Sequence, residues 1–457
     1  KKKYIGDWDF YQKYLLLAIP MILQNAITNL VSFLDNIMVG QLGTEQMSGV
    51  AIVNQLIFVY NLAIFGAVSA ASIFGAQYFG KGNHKGHMYS FRFKLYATLL
   101  VTGGAILLFL TKGSALISLY LTDTVGNGAT DLALQYGLEY LAIMMVGLIP
   151  FAVNQSYATN IKETGQTFIP MLASFVAVGT NAILDYLMIF GIGPFPELGV
   201  QGAALATVIA RYIEALIVVI WAHIHRGKNR YLEGAYTGFG IPLAELKAIL
   251  IKGFPLMMNE VLWAAGMTTV TQCYSVRGLD VVAGLNIAST ITNLFNIVYL
   301  QLGSCISIVV GQYLGAGKLE DAKDADNKMI VFSVFCCVIM AALMFVVGGF
   351  FPGIYNTTEE IRELATSFIA VSAIIMPFCA FSHASYFTLR SGGKTVVTFL
   401  FDSVFTWVIV VPAAYLLAHF TGLGIVSIYF LVQGTELIKV IIGYLMVKSN
   451  VWVVQMV

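Results

Sequence analysis

The chain has 457 residues, of which 58% are hydrophobic and 11% are charged, and its formal net charge is +1. A soluble domain carries about 25% charged residues, so this chain cannot bury its apolar surface in a water-soluble core. The composition excludes a water-soluble globular fold and indicates that lipid is the solvent.

Apolar stretches that are long enough to cross a bilayer, which takes about 20 residues, recur along the whole chain. We predict twelve spans, near residues 13–36, 48–73, 93–119, 133–157, 167–190, 200–224, 247–273, 281–309, 328–351, 365–388, 396–418 and 424–447. These continuous runs lack the strict alternation that is typical of a membrane β-barrel. The sequence therefore predicts an all-α membrane protein with twelve transmembrane helices.

The second half of the chain repeats the pattern of the first half. A shift of 235 positions brings Pro20 onto Pro255 and Gln77-Tyr78 onto Gln312-Tyr313. Many carriers are built from two membrane-embedded halves that share one pattern. We therefore predict two pseudo-symmetric lobes of six helices, residues 1–226 and 243–457, joined by a cytoplasmic linker at residues 227–242.

Lysine and arginine are concentrated in every second loop between the predicted spans. Examples are Lys81, Lys85, Arg226, Lys228, Lys318, Lys323, Arg390 and Lys394. By the positive-inside rule these loops face the cytoplasm, which places both termini there as well. We expect a multi-pass protein of the plasma membrane, in contact with lipid, whose two repeats have the same orientation.

Polar side chains at similar depth occur in the first, fifth and sixth predicted spans. Asp35 lies near the outer end of the first span, Asn181 and Asp185 share one face of the fifth, and Thr207 lies near the outer start of the sixth. Two carboxylates, an amide oxygen and a hydroxyl suit a small hard cation. The same pair of carboxylates also suits a carried proton, because two adjacent negative charges repel each other. We predict a Na⁺ or H⁺ site; hydrogen bonding between helices is the alternative role.

The second lobe has no acid at the equivalent place, because Asp35 aligns with Val270. Instead, Asn259 and Glu260 follow Pro255 in the seventh span. Further polar residues form stripes on the second and eighth spans: Asn54, Asn61, Asn286, Asn293 and Asn296. Such stripes either line a wet cavity or hold neighbouring helices together. We predict that Glu260, Asn259 and these asparagines line the substrate cavity.

Two more pairs of charged residues occupy matching places in the sixth and twelfth spans. Arg211 and Glu214 are three residues apart, and so are Glu436 and Lys439, with the signs exchanged. A charge inside the bilayer is costly, so each of these residues is a functional candidate. Residues three apart on a helix are neighbours, and we therefore predict a local ion pair in each span, with a role in transport as the alternative.

Neither a catalytic nor a nucleotide-binding motif is visible in the sequence. The chain contains no phosphate-binding loop of the form GxxxxGK[ST]. It also shows no arrangement of nucleophile and base, and no cluster of metal ligands. We predict that the protein is not an enzyme, holds no cofactor and does not bind nucleic acid.

Across its whole length the chain resembles the multidrug and toxic compound extrusion (MATE) family. The motifs that carry the resemblance are Pro20 with residues 33–40 (FLDNIMVG), Asn181-x-x-x-Asp185, Pro255 with Glu260, and residues 389–392 (LRSG). The resemblance implies the MATE fold, in which two six-helix lobes face each other around a central cavity. It also implies export of organic cations and other amphiphilic drugs in exchange for Na⁺ or H⁺.

The resemblance assigns roles to particular residues as well. It implies a cation or proton site in the first lobe at Asp35, Asn181 and Asp185, completed by Thr207. In the NorM-like branch, the acid of the seventh span, here Glu260, is joined by an acid in the tenth span. The aligned residues here, Phe378-Cys379-Ala380, carry no carboxylate, which is a departure from that branch.

We therefore expect a secondary active multidrug antiporter that works by alternating access as a monomer. The main alternative is a lipid-linked oligosaccharide flippase of the same superfamily, whose cavity would need Arg and Lys side chains for a pyrophosphate. Nearly all Lys and Arg residues of this chain lie in loops, which argues against a flippase. A channel would need a selectivity filter or a charged ring, and one asymmetric carboxylate site does not make one.

Overall fold

The computed structural model describes residues 3–121 and 129–457. Within these residues it has 12 helices that are long and apolar enough to cross a membrane. We number them as spans 1 to 12: Trp8–Gly40, Thr44–Lys81, His84–Leu119, Thr130–Glu163, Phe168–Phe190, Val200–Ile224, Leu243–Ser275, Leu279–Gly315, Leu319–Ile354, Glu359–Ser391, Thr395–Phe420 and Ile425–Lys448. The part of the chain that is described contains no strand. The all-α class and the twelve spans predicted from the sequence are confirmed.

Proline residues lie inside several spans, and glycine residues lie at span ends. Pro20, Pro255 and Pro377 lie inside spans 1, 7 and 10, where each removes one backbone hydrogen-bond donor. Pro150 lies in the first turn of the helix that resumes span 4 after a 3₁₀ turn at Met145–Gly147, and there the missing donor matters less. Span 5 ends where Gly191 adopts a left-handed φ of 67°, as glycine does after many helices.

Span 11 departs from regular α-helical geometry in its middle part. Two π-helical segments, Leu400–Val404 and Thr406–Val410, lie between the α-helical segments Thr395–Phe399 and Val411–Phe420. A π-helical turn holds more residues than an α-helical turn and often occurs at functional sites. The side chains that follow are therefore rotated relative to the faces that a regular helical spacing would predict.

The chain folds into two compact units. The first unit comprises Leu23–Gly75 and His84–Leu246, and the second unit comprises Lys1–Ile22, Ala76–Asn83 and Lys247–Val457. The main apolar core of the first unit contains Ile64 and Leu141, and that of the second unit contains Phe368 and Met344. The domain division expected from the sequence, with lobes at residues 1–226 and 243–457 and a linker at 227–242, stays a prediction.

The first unit contains a buried ionic cluster that the sequence analysis did not identify. Lys94 forms an ion pair with one carboxylate oxygen of Glu163, and Nε2 of His87 lies 2.8 Å from the other oxygen. The Lys94 ammonium also donates a hydrogen bond of 2.6 Å to Oδ1 of Asn160. All four side chains are buried. The cluster joins spans 3 and 4 through charge-assisted hydrogen bonds, which are stronger than neutral ones.

The segment between spans 6 and 7 packs against span 3 within the first unit. The guanidinium of Arg92 donates hydrogen bonds to the backbone carbonyl oxygens of Gly234, Ala235 and Gly240, at 2.7, 2.9 and 2.8 Å. Tyr231 is completely buried. Arg92 on span 3 thus holds this segment by three charge-assisted hydrogen bonds, although the segment contains little regular structure of its own.

The repeat includes a short motif, QYFGKGN at residues 77–83 and QYLGAGK at residues 312–318, and its two copies meet each other in the second unit. The backbone of Gly80 lies against the carbonyl group of Gln312, and the backbone of Gly315 lies against the carbonyl group of Gln77. Both pairs obey the repeat, because positions 80 and 315, like positions 77 and 312, are 235 apart. A Cβ atom at either glycine would collide with the facing carbonyl, so these glycines permit a close crossing of two helix ends.

Candidate functional site

Asp35, Asn181, Asp185 and Thr207 lie together in the first unit. Asn181 Nδ2 donates a hydrogen bond of 2.6 Å to Asp35 Oδ2, and Thr207 Oγ1 donates one of 3.4 Å to Asn181 Oδ1. Asp185 lies one turn after Asn181 on the same face of span 5, so its carboxyl group neighbours that of Asp35. Asp185 is 1% exposed and Asn181 is 8% exposed, whereas Asp35 and Thr207 are half-buried. The structure therefore brings together all four residues that the sequence analysis grouped.

The packing of spans 5 and 6 explains how these side chains meet. Asp185 lies in the last turns of span 5, which ends at Phe190, and Thr207 lies two turns after the start of span 6 at Val200. Gly202 allows the two helices to pack closely, because a Cβ atom there would lie 2.7 Å from the carbonyl oxygen of Met188. Small residues at a helix contact permit such an approach within a membrane.

The two carboxyl groups each keep one oxygen without a hydrogen-bond donor. In residues 3–121 and 129–457, no group donates to Asp35 Oδ1 or to Asp185 Oδ1, and both atoms are buried. Two adjacent carboxylates in a poorly hydrated place repel each other, and a proton or a cation relieves this repulsion. The amide oxygen of Asn181 and the hydroxyl of Thr207 add two neutral oxygen ligands. This set of oxygen atoms is chemically suited to Na⁺ as well as to a proton.

The asparagines of span 2 lie near other polar groups of the first unit. Asn54 Oδ1 accepts a hydrogen bond of 3.2 Å from the hydroxyl group of Tyr140 on span 4. Asn61 Oδ1 is buried, and none of the described residues donates a hydrogen bond to it. Asn54 therefore takes part in a bond between helices, which was the alternative to lining a cavity. A contact of either residue with substrate stays a prediction.

A second group of polar side chains surrounds a cavity of about 130 Å³ within the second unit. Glu260 and Asn259 of span 7 line it together with Trp263, Tyr386 and Arg390. Asn259 is 3% exposed, and its Nδ2 donates hydrogen bonds to the hydroxyl oxygen of Tyr386 at 3.3 Å and to Oδ2 of Asp402 at 3.0 Å. The structure thus places Glu260 and Asn259 at one cavity that combines charged groups with aromatic walls.

The predicted stripe on span 8 does not reach this cavity. Asn286 and Asn293 are exposed on the second unit, and Asn296 is half-buried. None of the three lines the cavity beside Glu260. That these three asparagines contact the substrate stays a prediction, and such a contact would lie outside this cavity.

An ion pair across two spans replaces the local pair that was predicted within span 12. Lys439 Nζ lies 3.2 Å from Asp402 Oδ1 of span 11, so Lys439 pairs with Asp402 instead of Glu436. Both Asp402 and Lys439 line the cavity beside Glu260. The sequence analysis did not single out Asp402. The sequence could have identified Asp402, because it is the one acid in the predicted span 396–418 and an acid inside the membrane is a functional candidate.

The corresponding residues of span 6 also differ from the prediction of a local pair. Glu214 accepts hydrogen bonds from Ser174 at 2.8 Å and from Asn154 at 3.2 Å. The guanidinium group of Arg211 lies 5.1 Å from the ring centre of Phe151, in a cation–π contact. Each charged group is therefore stabilised by neutral neighbours on other helices, which a spacing rule within one span does not capture.

The sequence matches the MatE family model over residues 20–187 and 255–416. Among curated relatives, it is 23% identical over 421 residues to a probable multidrug resistance protein NorM of Thermotoga maritima, covering 92% of this chain and 88% of that protein. A probable multidrug resistance protein NorM of Halalkalibacterium halodurans is 24% identical over 413 residues, covering 90% of this chain and 88% of that protein.

Solved structures share the fold of this chain. The outward-facing conformation of a multidrug resistance MATE family transporter of the MOP superfamily aligns with a TM-score of 0.86 and 20% identity, covering 97% of this chain and 96% of that one. A MOP superfamily transporter from Pyrococcus furiosus aligns with a TM-score of 0.85 and 20% identity, with the same coverage. At this level of identity, the similarity establishes the architecture alone.

Proposed function

Because this chain belongs to the MATE family of membrane transporters, we propose that it is a multidrug efflux antiporter, which exports organic cations and amphiphilic drugs in exchange for Na⁺ or H⁺. The family model covers most of the chain, in two segments that correspond to the two halves of the repeat. The protein is a multi-pass membrane protein and a transporter rather than an enzyme. The names of its NorM relatives connect those proteins with multidrug resistance.

The observation that carries the proposal is the grouping of two carboxyl groups, those of Asp35 and Asp185, around Asn181. Each group keeps a buried oxygen to which no residue within 3–121 or 129–457 donates a hydrogen bond. A proton or Na⁺ that binds between them removes the repulsion of two adjacent charges. Asn181, which bonds to both Asp35 and Thr207, would hold the ligand oxygens in place. We assign the coupling ion to this group of four residues.

Binding of the coupling ion must favour one conformation for it to drive transport. A ligand shifts an equilibrium only to the extent that it binds the two conformations differently. In the conformation described here, spans 1, 5 and 6 bring the oxygens together. Any conformation that separates Asp35 from Asp185 would bind the ion more weakly. We propose that loading and release of this ion alternate with outward passage of the drug.

The drug is proposed to contact the cavity of the second unit. Its aromatic walls and the carboxylate of Glu260 offer the apolar surface and the negative charge that an organic cation requires. From the positive-inside rule, we propose that the protein lies in the plasma membrane with both termini in the cytoplasm. We propose that it works there as a monomer.

Efflux from proteoliposomes tests the proposal. The vesicles would be loaded with a fluorescent organic cation, and a Na⁺ gradient and a pH gradient would be imposed in separate experiments. We expect efflux with at least one gradient, and the effective gradient identifies the ion at Asp35 and Asp185. Absence of efflux with both gradients would contradict the proposal and would favour the lipid-linked oligosaccharide flippase. A flippase is not favoured by the cavity beside Glu260, because its two basic groups, Arg390 and Lys439, are balanced by two acidic groups, Glu260 and Asp402, and a pyrophosphate needs an excess of positive charge.

A further inference from the structure

The ammonium group of Lys439 occupies an environment that proteins use to bind organic cations. Lys439 is 7% exposed, and its Nζ lies 3.2 Å from Asp402 Oδ1. The same Nζ lies 5.6 Å from the ring centre of Phe401 and 5.4 Å from that of Phe405. A carboxylate combined with aromatic faces attracts a cation through charge and through the ring quadrupoles. A quaternary ammonium ion could take the same position without needing a hydrogen-bond acceptor.

The carboxylate of this environment is held in place from its other side. Asn259 Nδ2 donates a hydrogen bond of 3.0 Å to Asp402 Oδ2, and the oxygen of the Asn259 amide accepts one of 2.6 Å from Ser403 Oγ. Asn259 and Ser403 are both buried. The π-helical segment Leu400–Val404 contains Phe401, Asp402 and Ser403. The carboxylate and one aromatic wall therefore belong to the same irregular segment and are fixed together.

The environment of Lys439 opens into the cavity beside Glu260. Lys439, Asp402 and Phe401 all line this cavity, on whose wall Glu260 and Trp263 also lie. A cation that enters the cavity would meet two carboxylates, one on Glu260 and one on Asp402, and two basic side chains, Arg390 and Lys439. The carboxylate of Asp402 already has a positive partner, which is covalently part of the chain and is therefore always present at a high effective concentration.

We propose that Lys439 is a tethered ammonium group that occupies an organic-cation subsite of the second unit and competes with transported cations for Asp402, Phe401 and Phe405. The inference rests on the proposed function, since it concerns how the exported cation is bound. In this arrangement Glu260 is the acid that receives the cation. Lys439 keeps the affinity of the neighbouring subsite low, which favours release of the cation after transport.

Removal of the tethered charge provides the test. Lys439→Met keeps an unbranched apolar side chain of similar length but has no ammonium group, and Lys439→Arg is the matched control that keeps the charge. Binding of radiolabelled tetraphenylphosphonium, a permanent cation that forms no hydrogen bonds, would be measured on the purified full-length protein. We expect the dissociation constant of Lys439→Met to fall at least tenfold, and that of Lys439→Arg to stay within threefold of the value for the unaltered protein.

A double-mutant cycle connects the effect to Asp402. Asp402→Asn should change tetraphenylphosphonium binding less than threefold when Lys439 is present, and should weaken it at least tenfold in the Lys439→Met background. If Lys439→Met fails to fold because Asp402 is left without a positive partner, Lys439→Gln, which can still donate a hydrogen bond to Asp402, replaces it in the same cycle.

The outcomes separate this inference from the proposed function. If the unaltered protein binds the cation and exports it, while neither charge-removing variant binds it more tightly, the tethered-ammonium inference is overturned and the efflux function stands. Absence of both binding and gradient-driven efflux in the unaltered protein would contradict the proposed function, and the inference with it. If Lys439→Met still binds the cation more tightly after Asp402→Asn is added, the inference is also overturned. In that case Asp402 would not be the group that the loss of Lys439 makes available to the cation.

Discussion

Replacement of Asp35 by asparagine should abolish ion-driven efflux without unfolding the protein. Asparagine has nearly the shape of aspartate, and its amide oxygen can still accept the hydrogen bond that Asn181 now donates to Asp35 at 2.6 Å. The substitution removes the negative charge beside Asp185. The helices around the site should therefore keep their packing, while the site loses one of its two charges.

The loss of ion affinity can be estimated from the charge that is removed. Two opposite unit charges about 4 Å apart attract each other by about 4 kcal/mol at an effective dielectric constant of about 20. Because about 1.4 kcal/mol corresponds to a factor of ten, Na⁺ affinity should fall by between two and three orders of magnitude. If the ion is a proton, the repulsion between two carboxylates that favours its binding disappears, and proton uptake by the site at neutral pH should be lost.

The assay compares Asp35→Asn with the unaltered protein by efflux under each gradient and by equilibrium binding of ²²Na⁺ or uptake of protons. Ser32→Ala is the matched control, because Ser32 lies one turn earlier on span 1, is exposed, and donates a hydrogen bond to the carbonyl oxygen of Thr28 within its own helix. The control should behave as the unaltered protein. An efflux rate and an ion dependence of Asp35→Asn that stay within threefold of the unaltered protein would refute the reasoning.

Three further substitutions test contacts that the fold depends on. Gly80→Val places a side chain against a facing backbone carbonyl, so we expect it to destabilise the protein by about 1–3 kcal/mol and to lower the melting temperature. Gly103→Ala, in open space on span 3, is the control and should leave the melting temperature unchanged. Glu163→Gln leaves Lys94 buried without its negative partner and should destabilise the protein by about 3–5 kcal/mol, measured by thermal unfolding. An unchanged melting temperature would show that the cluster contributes little to stability. Arg92→Met removes three hydrogen bonds that hold the segment between spans 6 and 7, and limited proteolysis should cut this segment faster than in the unaltered protein, with equal rates counting against the anchoring role.

The spans could be predicted from the sequence because they depend on local composition. The repeat could be found because the two halves share aligned residues. A run of about 20 apolar residues indicates a membrane span whatever its neighbours are. The grouping of Asp35 with Asn181, Asp185 and Thr207 required only helical spacing and depth along three spans. The structure agrees with it because spans 1, 5 and 6 are regular helices near these residues.

The partners of the other intramembrane charges could not be predicted in this way. The pairing of Lys439 with Asp402 depends on which faces of spans 11 and 12 meet, and the π-helical segments of span 11 rotate those faces. Likewise, Glu214 on span 6 accepts hydrogen bonds from Ser174 on span 5 and from Asn154 on span 4. Spacing along one helix identifies neighbours on that helix, but it carries no information about the rotation of the next helix.

Two glycine residues in the repeated motif also have contacts that a local sequence pattern cannot predict. The sequence motif QYFGKGN, with its copy QYLGAGK, indicates a helix that ends in a loop, since glycine commonly follows the end of a helix. The structure adds a second reason for Gly80 and Gly315, which is the close approach of each to a carbonyl group of the other copy. Each contact joins two residues that lie far apart in the chain, Gly80 with Gln312 and Gly315 with Gln77, and a local pattern does not contain it.

Reciprocal coupling is the most direct test of the central claim that this protein exchanges a drug for the ion at Asp35 and Asp185. Proteoliposomes would be loaded with an organic cation and placed in a medium without a Na⁺ or pH gradient, and uptake of tracer ²²Na⁺ and acidification of the vesicle interior would be followed together. An exchanger must move the ion inward when only the drug gradient is present, so we predict uptake of one of the two ions, lost in Asp35→Asn. Drug efflux with neither Na⁺ uptake nor acidification would contradict the account.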